Sequence, residues 1–249
     1  MTPRITLAVA RRVLHQLRRD PRTIALMLLL PCVVILLLWW VFSELPGGGM
    51  LDRFGPAIIA FMPFTVMFIV TSITMLRERT AGTLERMLAM PTGRGDILVG
   101  YALALLAICL VQATLVIALA VWVLGMEVGG PIWALLVVAL ADSFLGTALG
   151  LAVSAFARTE FQAVQFMPAL VFPQLLLCGL FLPRDQMPRA AEVISDFLPL
   201  TYAVEAMQGV QAGVDGAVAD GTWTHLLVVV VVAVVVLALG TLTLRRRTD

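Results

Sequence analysis

Few side chains in this sequence could do chemistry, and their placement narrows what that chemistry is. Asp142 lies inside a long apolar run, about eleven residues from its start, and Gln112 lies at similar depth in the preceding run. A carboxylate near a bilayer centre costs roughly 2.5–3.5 kcal/mol on the insertion scale, so it must be paired, protonated or wetted. No arginine stands at that depth, and Gln112 is the side chain expected to hydrogen-bond it. Two readings stay open: a polar tie between helices, or a wet point on a path that meets a cationic solute. Asp142, Gly146, Gly150 and Ser154 also recur every four residues, a spacing of small side chains that lets helices approach closely.

The remaining reactive types point away from catalysis. His15 and His225 stand near the ends of apolar runs, and the chain has no H-E-x-x-H, no G-x-S-x-G and no paired intramembrane aspartates. Cys32, Cys109 and Cys178 sit far apart in apolar runs, as buried thiols rather than a disulfide or metal set. All 17 basic residues are arginine. A phosphate-binding P-loop needs a lysine, so this sequence holds no such motif. Phe61, Phe64 and Phe68 form a stripe at helical spacing, and Phe172 lies near Gln165. Such stripes are ordinarily packing or lipid-facing surface. With Gln112 and Asp142 they are also the candidates for lining a translocation pathway.

The elements that position these residues are apolar helices. The 249 residues are 61% hydrophobic and only 13% charged, about half the charge of a soluble domain. Runs of about 20 apolar residues cross a bilayer as helix, because lipid offers no partner to a free backbone group. Six spans are expected: Thr23–Phe42, Gly55–Leu76, Ile97–Leu124, a fourth ending near Phe156, a fifth ending near Leu182, and Thr222–Leu244. No cleavable leader is expected, since the first run is too long for one. With both termini inside, Arg53, Arg184 and Arg189 alone among the 17 arginines fall outside. That bias orients the chain in the plasma membrane. Trp39, Trp40, Trp122, Trp133 and Trp223 fall near the outer span ends, as interfacial anchors do.

Two polar stretches flank this frame. In residues 1–22, Ile5, Val9, Val13 and Leu17 follow one line while Arg4, Arg11 and Arg18 follow another, with Arg12 between. This is an amphipathic helix suited to the inner membrane surface. The loop at 77–96 carries Glu78, Arg79, Gly82, Thr83, Leu84, Glu85, Arg86, Met87, Leu88 and Pro91. Leu84, Met87 and Leu88 share one face, and Glu78, Arg79, Glu85 and Arg86 show both signs of charge. It is either an ordinary solvated connection or a short stiff helix for docking a soluble partner.

The run Gly82-Thr83-Leu84-Glu85 followed by Pro91 resembles the signature loop of the type-2 ATP-binding-cassette exporter permeases, of the daunorubicin-resistance type. Cys178-Gly179-Leu180-Phe181-Leu182-Pro183 and Leu198-Pro199-Leu200-Thr201-Tyr202 resemble that family's stretch after the fifth span. The resemblance covers the whole chain as one permease domain, residues 1–249. It implies an all-α polytopic fold with six spans, an interfacial helix beside the coupling loop, and short re-entrant outer helices over 183–221. It implies a separate ATPase partner that holds ATP and Mg, with no cofactor on this chain. It also implies a second permease copy (identical or a paralogue), a lipid setting and hydrophobic or amphipathic cargo, in a bacterial inner membrane and with no nucleic acid. Export of a lipid-linked glycan, or a non-transporting anchor or assembly role, are the alternatives.

Overall fold

The computed structural model describes residues 2–43, 50–83, 86–87, 93–182 and 184–243. Of the loop residues singled out above, Leu84, Glu85, Leu88 and Pro91 lie outside the described residues, as do Pro183 and the terminal arginines. Nine α-helices run through the described residues: α1 (Pro3–Arg18), α2 (Pro21–Phe42), α3 (Met50–Thr80), α4 (Arg94–Ala118), α5 (Ile132–Ser154), α6 (Glu160–Leu177), α7 (Arg189–Asp196), α8 (Pro199–Gln211) and α9 (Thr222–Thr243). A π-helical turn, Leu119–Val123, prolongs α4.

Local chemistry sets the helix ends. Pro3 opens α1, where its missing N–H costs nothing. Pro21 does the same for α2, whose cap is Asp20: the carboxylate accepts from the Thr23 N–H at 3.2 Å and its hydroxyl at 2.7 Å. The Thr23 hydroxyl, then its amide, hold the Asp20 carboxyl below its ordinary 3.8. Thr159 caps α6 through the Gln162 N–H at 3.1 Å.

Five helical stretches are long and apolar enough to cross a bilayer: Pro21–Phe42, Leu51–Thr80, Gly95–Val123, Ile132–Ser154 and Thr222–Gly240. Helix α6 is not among them. Its 18 residues reach about 27 Å, and Glu160, Gln162, Gln165 and Gln174 dilute its apolar side chains. The second span exceeds its expected limits at both ends, because helix α3 carries its polar flanks as well.

α3 and α5 form the centre. They pack on each other more extensively than any other pair, and glycine makes this possible. A Cβ at Gly146 would strike the Phe64 carbonyl oxygen, and one at Gly150 would come within 2.5 Å of that of Phe68. The four-residue line of small side chains on α5 is therefore the seat for α3. α9 packs on the other side of α5 and on α8, and α1 lies along the start of α4. α2 and α9 are peripheral: Leu26, Leu29, Trp40, Leu227 and Leu239 are exposed there, the faces that apolar solvent covers.

At one end of the bundle, Gly129 and Gly130 in the α4–α5 turn donate to the Gln211 and Val210 carbonyls at 2.9 and 3.0 Å. All five tryptophans are exposed, and Trp133 stacks on Trp223 with centroids 5.8 Å apart. The stretch expected on the outer side holds two short α-helices among the described residues. α8 buries Leu200, Ala203, Val204, Met207 and Val210 against α3, α5 and α9. α7 leaves Val193, Ile194 and Phe197 exposed.

Candidate functional site

The arginine-rich end is organised by three consecutive residues at the end of α3. Successive helical residues point about 100° apart, so Arg77, Glu78 and Arg79 reach three different elements. Arg77 makes a two-pronged pair with Glu160 at the start of α6, at 2.8 and 3.0 Å. Each carboxylate oxygen of Glu78 accepts from Arg12 of α1, at 3.1 Å. Arg79 donates to the Ser154 carbonyl of α5 at 2.8 Å, satisfying an orphan acceptor where the helix dipole favours a cation.

Glu78 corrects the sequence expectation that it presents its charge outward. Its side chain is 4% exposed and committed internally. The Thr83 hydroxyl closes over it, donating to the Glu78 carbonyl at 3.0 Å and to its carboxylate. The chain returns through Gly82, whose φ of +68° favours glycine and ends the helix. Arg12 also donates to the Met87 sulfur at 2.6 Å.

α1 is held at its other end by Asp96, which accepts from the Thr2 amide and the Thr6 hydroxyl, both at 2.9 Å. The expected apolar line is real, but α4 covers it: Val9, Val13 and Leu17 are buried, and Gly100 admits the Val9 side chain. It is thus not left for lipid. Between α1 and the loop runs an open groove of about 540 Å³ with Ile5, Ala8, Val9, Met87 and Ile97 as its floor and Arg4, Arg12 and Arg86 at its rim. Such a groove takes an apolar side chain flanked by acidic ones. Asp96, Ser154 and Glu160 were not legible as site residues. The cue for Asp96 is its place in the first turn of a helix that opens on Gly93, whose amide it also accepts at 3.2 Å.

The pathway candidates do not come together. Phe61, Phe64 and Phe68 are buried in the α3 packing. Gln112 and Asp142 are fully buried, but the expected hydrogen bond between them is not formed. The side-chain hydrogen bond between α4 and α5 is instead made by Cys109, one turn before Gln112, which donates to Ser143, next to Asp142, at 2.6 Å. Gln165 and Phe172 lie on the exposed face of α6 with Phe161 and Leu176. Gln174 turns inward, donating to the Leu170 carbonyl at 2.9 Å and accepting from the Leu200 amide at 3.3 Å.

At the opposite end Arg184 gathers three partners: Ser195 at 3.0 Å, Glu205 at 2.6 Å, and Asp196. Burial works against its charge, yet the Glu205 and Asp196 carboxylates hold its pKa above the ordinary value. The Tyr202 hydroxyl donates to the Asp196 carbonyl at 2.8 Å.

Apolar helices of spanning length, tryptophans at one end and anchored arginines at the other define an all-α, multi-pass membrane protein. Residues 5–212 match the family model described as ABC-2 type transporter, and the chain belongs to that family. It is 26% identical to ABC transporter G family member 20 of Dictyostelium discoideum over 202 residues, 81% of this chain and 28% of that one. Identity is also 26% over 171 residues with the Escherichia coli protein named Probable multidrug ABC transporter permease YbhR, covering 69% and 46%. With the linearmycin resistance permease protein LnrN of Bacillus subtilis it is 27% over 151 residues, covering 58% and 38%. The chain thus spans less than half the length of these curated relatives.

Proposed function

We propose that this chain is the membrane-spanning permease of an ATP-driven exporter, worked by an ATPase carried on another polypeptide that binds ATP and Mg. The observation behind this reading is the groove between α1 and Thr83, Arg86 and Met87, beside the Arg77-Glu78-Arg79 ties that link α3 to α6, α1 and α5. An ATPase seated there pulls on three helices at once. The arginine bias supports a cytoplasmic position for this end and both termini. α6 serves as a sixth span, its exposed face with Gln165, Phe161, Phe172 and Leu176 turned toward a second permease copy. Cargo passes between the copies along Gln165 and Phe172, while Phe61, Phe64, Phe68, Gln112 and Asp142 support the wall from behind. A hydrophobic or amphipathic cargo fits the exposed lining of α6, and three relatives carry transporter or permease in their names.

The test is co-purification with a candidate ATPase, followed by cargo-stimulated ATP hydrolysis in lipid vesicles. Stimulation that falls in Arg86→Glu, with membrane insertion unchanged, supports the reading. A purified pair in which that variant couples normally overturns it. Phe172→Ala tests the path separately, through altered cargo preference.

A further inference from the structure

The surface of α1 divides into strips of different chemistry. Thr6, Val9, Ala10, Val13 and Leu17 are buried on α4. Arg12, on one flank, is tied to Glu78 and Met87. The other flank holds Leu7 and Leu14, 63% and 36% exposed. Between the flanks, facing outward, stand Arg11, His15 and Arg18. These line an open groove of about 860 Å³ together with the two leucines and with Arg4, Ala8 and Arg12.

Arg11 and Arg18 form no ion pair among the described residues. α1 itself contains no acid. The acids nearest it are otherwise engaged: Glu78 by Arg12, Asp96 by Thr2 and Thr6, and Asp20 by Thr23. The helix leads directly into the spanning helix α2 through Asp20 and Pro21, which fixes it at the membrane surface.

We propose that this outward strip is a binding site for the phosphate headgroup of an anionic phospholipid. Arg11 and Arg18 supply the contacts, and Leu7 and Leu14 meet the first methylenes of the acyl chains. Guanidinium suits this task because its planar fork engages two phosphate oxygens at once and is weakly hydrated. The leucines separate a lipid from a soluble anion, which has no use for them. Arg4, Ala8 and Arg12 line both this groove and the one beside Met87, whereas Leu7, Arg11, Leu14, His15 and Arg18 line this one alone. Variants at Arg11 and Arg18 therefore test the lipid site apart from the groove assigned to the proposed ATPase.

The test uses the full chain, delipidated in detergent and titrated with phosphatidylglycerol or phosphatidylcholine, with bound lipid counted by native mass spectrometry. Wild type is expected to retain phosphatidylglycerol over phosphatidylcholine, and millimolar inorganic phosphate is expected not to displace it. Arg11→Gln/Arg18→Gln, at unchanged Tm, should lose affinity by about five-fold per arginine. Arg53→Gln, at the opposite end, should lose none. Should the glutamine variant unfold, Arg11→Lys/Arg18→Lys keeps the charge but not the fork and should still bind measurably less. Equal retention of both lipids, displacement by phosphate, or full binding by a folded variant overturns the proposal.

Discussion

The two ends of this molecule use the same charges in opposite ways. At the arginine-rich end, three neighbouring residues of α3 each reach one distant element, α6, α1 and α5, with partners lying 83, 66 and 75 residues away in sequence. At the other end, one residue, Arg184, takes three partners lying 11, 12 and 21 residues away. The first arrangement is a set of separable links between distant elements. The second is a single pin that closes a local cap. Links can be cut one at a time, whereas removal of the pin strands several groups together.

Mutation should expose that difference. The largest loss is expected from Arg184→Ala, which leaves the mostly buried Glu205 and its neighbour Asp196 without their cation. A drop of about 3 kcal/mol, read from thermal or denaturant unfolding, is expected. Glu78→Ala removes one link and strands only Arg12, which is 41% exposed to solvent. About 2 kcal/mol is expected there, with ATPase coupling falling further than stability. If Glu78→Ala costs as much as Arg184→Ala, the separable-link picture fails. Gly82→Ala should cost about 1 kcal/mol, since its Cβ meets nothing among the described residues and the backbone conformation suffers. Arg77→Gln breaks a pair whose side chains are 63% and 52% exposed. Its effect should stay under about 1 kcal/mol and shrink as salt rises. Smallest of all is the cap at Asp20. Because its folded carboxyl titrates below 3.8, its contribution is complete above that pH and is lost as pH falls through the folded value. A flat acid limb in the difference between wild type and Asp20→Ala would contradict this.

Sequence periodicity made much of this frame legible. The four-residue line of Val9, Val13 and Leu17 marked the buried face of α1, and the Asp142–Ser154 line marked the α5 face that seats α3. Counting residues along an apolar run gives depth, and it put Gln112 and Asp142 near the same level. It does not give the rotation of one helix against another, so the bond expected between them is absent and Cys109 meets Ser143 instead. Glu78 misled for a related reason. Its inward turn depends on an arginine 66 residues earlier, and nothing local to the loop announces that meeting. Helix α6 was expected as the fifth span, yet its glutamines weaken the hydrophobic signal and leave it outside the five stretches long and apolar enough to cross a bilayer.

The glycines of α5 carry a mechanical consequence. Gly146 and Gly150 press the α5 backbone onto that of α3, so neither helix can roll on the other without collision. α5 is about 35 Å long. Arg79 fastens its last turn, and the Gly129–Gly130 turn ties its entry to α8. The pair is therefore expected to move as one body, carrying a displacement from one end of the bundle toward the other. Any opening of the molecule is left to the joints around that body, at α2 and α6.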